Sequence, residues 1–381
     1  MQIMISKLPK AAFYAFVLCS FITCTPKKNQ LTSGVVEQNE INIILLIGDG
    51  MGLSQISAAF VFQDSVPNFE RFETIGLIKN SSATHKITDS AAGATAFSTG
   101  FKTYNGAIGI DSDSTNQKTL VEIASEQGMK TGLVVTSSIT HATPASFYAH
   151  AKSREMAEEI ATWLPESGVD YFAGGGLKYF NKRADNINYL ELLEEKGFEI
   201  DTTDLNLAQE VFENKKYGYM LAEDGMPKSI SRGDFLPNAT VQALKYLSKS
   251  ENGFFLMVEG SQIDWGGHEN DSDYLIKEVM DFDKTLGIAL DFAETHKNTL
   301  VIVTADHETG GFTLASKTEI DDQGVKHNNY DIIAPSFSTD GHSATLIPVF
   351  AIGPGSEIFS GVYENTEIFH KILEFIDNSP M

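Results

Sequence analysis

Five apolar runs that do not alternate with polar residues constrain this chain more than any other feature. They are Ile43–Ile47, Thr131–Thr136, Phe254–Val258, Leu300–Thr304 and Ile347–Ile352, and they are rich in β-branched and aromatic residues. A run of this length that is apolar on both faces suits a strand covered on both sides. Tyr171–Ala173 and Tyr219–Ala222 are weaker runs of the same kind. Between the runs lie amphipathic patterns. Leu275, Val279, Phe282, Leu286 and Leu290 recur at helical spacing, as do Ile368, Ile372 and Ile376 near the C-terminus. Such an alternation predicts an α/β fold, a three-layer sandwich around a central, mostly parallel sheet.

The residues just beyond these runs carry chemistry. Ile43–Ile47 leads into Gly48-Asp49-Gly50-Met51-Gly52, and Thr131–Thr136 into a loop with His141 and Thr143. Phe254–Val258 leads into Glu259 and then Asp264 and His268, and Leu300–Thr304 into Asp306-His307. Open α/β sheets bind their ligands outside the carboxyl ends of the strands. Each motif alone has an ordinary reading: Asp49 as a helix cap, Asp264 and His268 as an exposed turn, Asp306-His307 as a surface pair. Together, four strand ends deliver carboxylates and imidazoles to one edge of one sheet. Carboxylate and histidine without cysteine form a ligand set suited to hydrolytic zinc and to magnesium.

A second constellation is Thr88-Asp89-Ser90-Ala91-Ala92-Gly93-Ala94-Thr95-Ala96. Residues this small predict a helix packed closely against something, with Asp89 or Ser90 at its start. A helix N-terminus favours an anion, so this one could assist a serine alkoxide or hold a phosphate. One of the two residues could equally serve as the helix cap, and the roles are compatible.

The chain has 381 residues, enough for one large domain or two small ones. Lys7 and Lys10 precede an apolar stretch from Ala11 to Cys24, which reads as a secretory leader over residues 1–24. Residues 25–40 read as a tether and 41–381 as the folded domain, with the charged, irregular stretch 182–237 as a smaller insertion. The only cysteines are Cys19 and Cys24, so the folded part has neither disulfides nor zinc–thiolate sites. Cys24 stands where a bacterial lipoprotein is acylated, although Phe21-Ile22-Thr23 departs from the usual small-residue pattern. A lipid anchor and simple export both remain open. The formal net charge of -23 argues against nucleic acid or an anionic membrane surface as a partner.

With these motifs in order, the chain resembles the alkaline phosphatases from about Ile41 to the C-terminus. The match is carried by the Gly48–Gly52 and Thr88–Gly93 motifs, by His141-Ala142-Thr143-Pro144-Ala145 and by Glu259-Gly260-Ser261-Gln262-Ile263-Asp264. Thr304-Ala305-Asp306-His307-Glu308 and Gly341-His342-Ser343 complete it. The resemblance is nearer to short, cold-adapted bacterial members. It implies hydrolysis of phosphate monoesters through a phosphoserine on Ser90, with two zinc ions and one magnesium. It implies Asp264, His268 and His342 as ligands of the first zinc. Asp49, Asp306, His307 and Ser90 would hold the second, and Asp49, Thr143 and Glu259 the magnesium. Arg154 would grip phosphate with Asp89 as its carboxylate partner. His141 and Trp265 stand where the enterobacterial pattern has aspartate and lysine, which affects the third metal site and the hold on phosphate. A homodimer in the periplasm or anchored at the outer membrane is expected from the same resemblance. A phosphodiesterase or sulfatase on this scaffold, or a non-catalytic metal-binding surface protein, is the alternative.

Overall fold

The computed structural model describes residues 41–376. The leader read at 1–24, with Cys19 and Cys24, and the tether at 25–40 lie outside these residues.

Each apolar run is a strand. In chain order the strands are β1 (Asn42–Gly48), β2 (Thr74–Lys79), β3 (Lys130–Ser138), β4 (Tyr171–Gly175), β5 (Phe198–Asp201), β6 (Lys216–Met220) and β7 (Phe254–Gly260). Next come β8 (Thr299–Thr304), β9 (Glu308–Thr309), β10 (Thr313–Ile320), β11 (Lys326–Ser336), β12 (His342–Ser343), β13 (Ile347–Ile352) and β14 (Gly361–Glu364). Ten of them form one sheet in the order β14-β2-β13-β8-β1-β7-β3-β4-β6-β5. From β8 to β5 the pairing is parallel throughout, and β13 runs antiparallel to both β8 and β2.

β1 lies inside the sheet, with Ile44 in register with Leu256 on one side and Val301 on the other. Every residue of β1 is buried, as expected of a strand whose two faces both meet helices. Truncating one of its side chains, for example Leu46→Ala, should cost on the order of 2–5 kcal/mol. The Ser272–Thr295 helix packs on the helices Leu53–Phe62 and Phe235–Leu247, and the Ser90–Thr99 helix packs on Ala142–Tyr148 and Glu367–Ile376. The residues read at helical spacing, Leu275, Val279, Phe282, Leu286 and Leu290, are the buried stripe of the Ser272–Thr295 helix. Asp271 caps that helix through the Tyr274 amide at 3.1 Å.

Two regions differ from the simple alternation. Residues 182–237 do not stand apart from the sheet: they supply β5 and β6, which extend its edge beyond β4. Besides the short β9–β12 pair, the element that stands off the main sheet is the hairpin of β10 and β11. Its turn is tied by Asp321, whose carboxylate accepts from the amides of Gln323 and Val325 at 2.9 Å each. Among the described residues no helix is long and apolar enough to cross a membrane.

Candidate active site

The strand ends meet around Asp49. β1 turns sharply at Gly50, whose φ is +72°. A Cβ there would lie 2.7 Å from both Asp264 Cα and Thr309 Oγ1, so only glycine allows this turn and this approach. The Gly50 amide donates to Asp306 Oδ1 at 3.2 Å, and the His307 amide to the same oxygen at 3.0 Å. β9 and β12 pair His342 with Thr309 and Ser343 with Glu308, which carries His342 to the same edge.

Ser90 is the first residue of its helix, and Asp89 is the cap, accepting from the Ala92 amide at 3.0 Å. Ser90 Oγ lies 3.2 Å from His307 Nε2 and 3.5 Å from Asp49 Oδ1.

The three imidazoles have fixed tautomers. His342 Nδ1 donates to the Thr88 carbonyl at 3.0 Å, and His268 Nδ1 to the Asp340 carbonyl at 2.5 Å. Thr309 Oγ1 donates to Asp264 Oδ1 at 2.5 Å, so its only remaining role toward His307 Nδ1, 3.2 Å away, is to accept. His342 and His307 in these tautomers therefore present an Nε2 lone pair to the site, and His268 does so once it gives up its second proton. The Nε2 atoms of His268 and His342 are 3.1 Å apart, and both face Asp264 Oδ1, at 3.3 and 3.6 Å. His307 Nε2 faces Asp306 Oδ2 at 3.2 Å and Asp49 Oδ1 at 3.5 Å.

Three sets of donor atoms are close enough to share an ion: Asp264, His268 and His342; Asp49, Asp264 and His307; and Asp49, His141 and Glu259. Asp264 belongs to two of these sets, whereas the family resemblance implies one. Thr143 lies by the third set, and its buried hydroxyl has no hydrogen-bond partner; neither do Asp49 Oδ2, Asp306 Oδ2 and Glu259 Oε1. Buried acceptors without donors cost several kcal/mol in aggregate unless a cation meets them. The donor set therefore fits divalent metal ions.

Electrostatics agree. Burial, then the neighbouring Asp306, Asp264 and Glu259, holds the Asp49 carboxyl well above its ordinary range. Burial pushes Glu259 up to about 7, and burial followed by Asp264 pushes Asp306 up to about 6. Burial keeps His307 far below the usual imidazole range. Asp264 goes the other way: its burial is outweighed by the His268 hydrogen bond and by the surrounding imidazoles. His268 in turn is raised to about 9, first by that hydrogen bond. Around Asp49, Asp306 and Glu259 the carboxylates outnumber the cations, and bound ions supply the missing positive charge.

Beside the cluster, Arg154 Nη1 donates to Asp89 Oδ2 and Nη2 to His141 Nε2, each at 3.2 Å. Burial, then Arg154, brings His141 down to about 3, so its ring is neutral. Trp265 meets the His141 ring edge-on, with centroids 6.1 Å apart.

A family model for alkaline phosphatases matches residues 40–333. Alkaline phosphatase 3 of Bacillus subtilis is 34% identical, over 88% of this chain and 89% of that protein. The Escherichia coli alkaline phosphatase is 31% identical, over 86% and 84%. The chain belongs to the alkaline phosphatase family. It is a phosphoric monoester hydrolase, and the likeness extends to the fold. The alkaline phosphatase of the Antarctic bacterium TAB5 is 56% identical, with a TM-score of 0.84 over 88% of this chain and 97% of that one. A histidine-to-aspartate variant of the TAB5 alkaline phosphatase has magnesium bound in its M3 site.

Two sets of contacts here were not read from the sequence, although Glu308 closes the Thr304–Glu308 motif. Thr309 bridges Asp264 and His307, joining two donor sets. Glu308 accepts from Gln55 Nε2 at 2.8 Å, from the Phe312 amide at 3.0 Å, and from Ser343 Oγ, so it ties β12 to β9. Both residues come just after the Asp306-His307 pair, and Asp264, Gln55 and Ser343, which they reach, come from distant parts of the chain.

Proposed function

We propose that this chain hydrolyses phosphate monoesters through a phosphoserine on Ser90, with two zinc ions and one magnesium. The observation that carries this reading is the setting of Ser90 Oγ, at a helix N-terminus and 3.2 Å from the His307 Nε2 lone pair. The first zinc would be held by Asp264, His268 and His342. The second would be held by Asp49, Asp306 and His307 with Ser90, and the magnesium by Asp49, Thr143 and Glu259. When bound, these ions lower the pKa of the serine hydroxyl, offset the phosphate charge and stabilise the leaving oxygen.

The chain's own residues do the rest. Arg154 presents a fork to two phosphate oxygens, and Asp89 and His141 hold that fork in place. Ser90 Oγ attacks phosphorus, the ester P–O bond breaks, and the alcohol leaves. Water then cleaves the phosphoserine to give inorganic phosphate and free Ser90. The helix N-terminus favours the anion throughout.

His141 bears on the third site. A neutral imidazole has one lone pair, and here Arg154 takes it at Nε2. The ring cannot also offer a lone pair at Nδ1, so His141 favours the arginine over an ion. Aspartate at 141 could serve both and should raise magnesium affinity.

Export with the leader cut at or just before Cys24, to a periplasmic form or one lipid-anchored through Cys24, and a homodimer complete the reading. They rest on the leader pattern and on the family resemblance. The test of the central claim is acid quenching during turnover with labelled phosphate ester. Label on Ser90, with much faster turnover of nitrophenyl phosphate than of bis-nitrophenyl phosphate, is expected. Turnover without labelled serine overturns it.

A further inference from the structure

Resting on the reading that Trp265 borders the phosphate site, we propose that Gly225 is a positioning residue. It fixes where Trp265 stands, and residues 222–232 form the strap that holds it there.

The contact is close. A Cβ on Gly225 would lie 2.5 Å from Trp265 Cη2 and 3.1 Å from Cζ3. On another side the indole meets the His141 ring, which accepts from Arg154. The indole is thus confined between bare backbone and the histidine that orients the phosphate-gripping arginine. Nothing but glycine leaves room for it, because a methyl group would overlap the ring rather than touch it.

The backbone at Gly225 is pinned on both sides. Upstream, the amides of Gly176 and Leu177 donate to the Ala222 carbonyl at 3.0 Å each, and the Lys178 amide donates to the Glu223 carbonyl at 3.1 Å. Lys178 pairs with Asp224, and Lys182 pairs with Glu223 at 2.7 Å. Downstream, the Met226 amide donates to the Thr136 carbonyl at 3.1 Å, and Gln262 Nε2 donates to the Met226 carbonyl at 2.6 Å. Lys228 pairs with Glu269 at 2.8 Å. The strap ends on Arg232, which donates to the Pro227 carbonyl at 3.0 Å and pairs with Glu278 at 2.5 Å and Asp281 at 2.6 Å. The side chains of Arg232 and Glu278 are each 1% exposed.

Gln262, Trp265 and Glu269 lie on or beside the short helix that bears Asp264 and His268. The strap therefore braces that helix and the indole together. With the strap held at both ends, the indole is the part that gives when a side chain is added at Gly225.

The experiment uses the full metal-loaded enzyme in a Trp163→Phe background, where Trp265 is the only tryptophan. Its readings are Trp265 emission, kcat and inhibition by inorganic phosphate. Gly225→Ala should shift the emission and weaken phosphate inhibition by about tenfold, with a smaller change in kcat. Adding Trp265→Phe, which removes the clashing outer ring, should return the double variant to the behaviour of Trp265→Phe alone. Unchanged emission and inhibition in Gly225→Ala overturns the proposal. Trp265→Phe with unchanged phosphate inhibition instead overturns the reading of Trp265 on which it rests. If Gly225→Ala does not fold, the Gly225→Ala/Trp265→Phe pair decides: recovered folding supports the contact between Gly225 and the indole, and continued failure refutes it.

Discussion

Among the described residues, two clusters of buried charge stand on opposite terms. Around Arg232 the acids have their own cation: Glu278 accepts from Arg232 and from the Ser229 amide, and Asp281 accepts from Arg232. Around Asp49 the acids outnumber any cation. Asp49, Asp306 and Glu259 each keep a buried oxygen with no donor, and the Nε2 atoms of three imidazoles face the same space. In the first cluster each acid accepts from Arg232, although Arg232 Nε keeps no partner, and the cluster holds backbone in place. The second is open, and its missing charge must come from ions. The comparison teaches that unmet acceptors, rather than burial or charge as such, separate a site from a brace.

The largest expected effect removes the ions. Chelation should abolish phosphatase activity, and zinc with magnesium should restore it. The metal-free protein should also melt at a lower temperature, because an ion held a thousandfold above its Kd stabilises the native state by about 4 kcal/mol. Normal turnover in protein shown by elemental analysis to be metal-free would break the distinction between the clusters.

Next in size is Ser90→Ala. It removes one hydroxyl from the open cluster and no charge, so melting temperature and zinc content should stay near normal. The turnover number should fall on the order of a thousandfold or more. Near-normal turnover would take Ser90 out of its proposed role.

A third pair of variants tests the two clusters directly. Arg232→Met leaves two buried acids uncompensated and should cost roughly 3–5 kcal/mol in urea unfolding. Asp306→Asn should do the reverse in metal-free protein, stabilising it by removing one of several like charges. In metal-loaded protein the same change should destabilise, since it weakens the hold on an ion. An Asp306→Asn effect of the same sign in both forms would mean that the open cluster is not organised around ions.

The strand ends were legible because a doubly covered strand must be apolar throughout. Ile43–Ile47 needed only a residue at each end to become β1. β2 was not legible, since Gly76 interrupts a short run, and β5 has only four residues. β10 and β11 were hidden by their exposure: a hairpin beside the main sheet is mostly exposed, so Thr313–Ile320 and Lys326–Ser336 carry neither a long apolar run nor a regular alternation. At the site, the convergence of Asp49, Glu259, Asp264 and Asp306-His307 came from strand ends alone. The tautomers did not, because the Thr88 and Asp340 carbonyls that set them lie far from His342 or His268 in sequence. Gly225 gave no sign either, since its significance is a distance to Trp265 across the fold.

The smallest effect concerns that same indole. Trp265→Lys would place a positive charge beside Arg154 and near bound phosphate, where tryptophan offers one N–H and no charge. At a partly solvated position such a charge is worth about 1–2 kcal/mol, or roughly a tenfold tightening of inhibition by phosphate. Where product release limits turnover, tighter phosphate also lowers kcat. The packing predicts a competing outcome. Trp265 fills the space between Gly225 and His141, on the helix that carries Asp264 and His268. A flexible lysine leaves that space partly empty, so the helix could shift and loosen the first zinc. kcat would then fall with zinc content, and phosphate would bind no tighter. Measuring zinc content beside phosphate inhibition separates the two. Full zinc with tighter phosphate assigns Trp265 to the open cluster's electrostatics, and lost zinc assigns it to the strap.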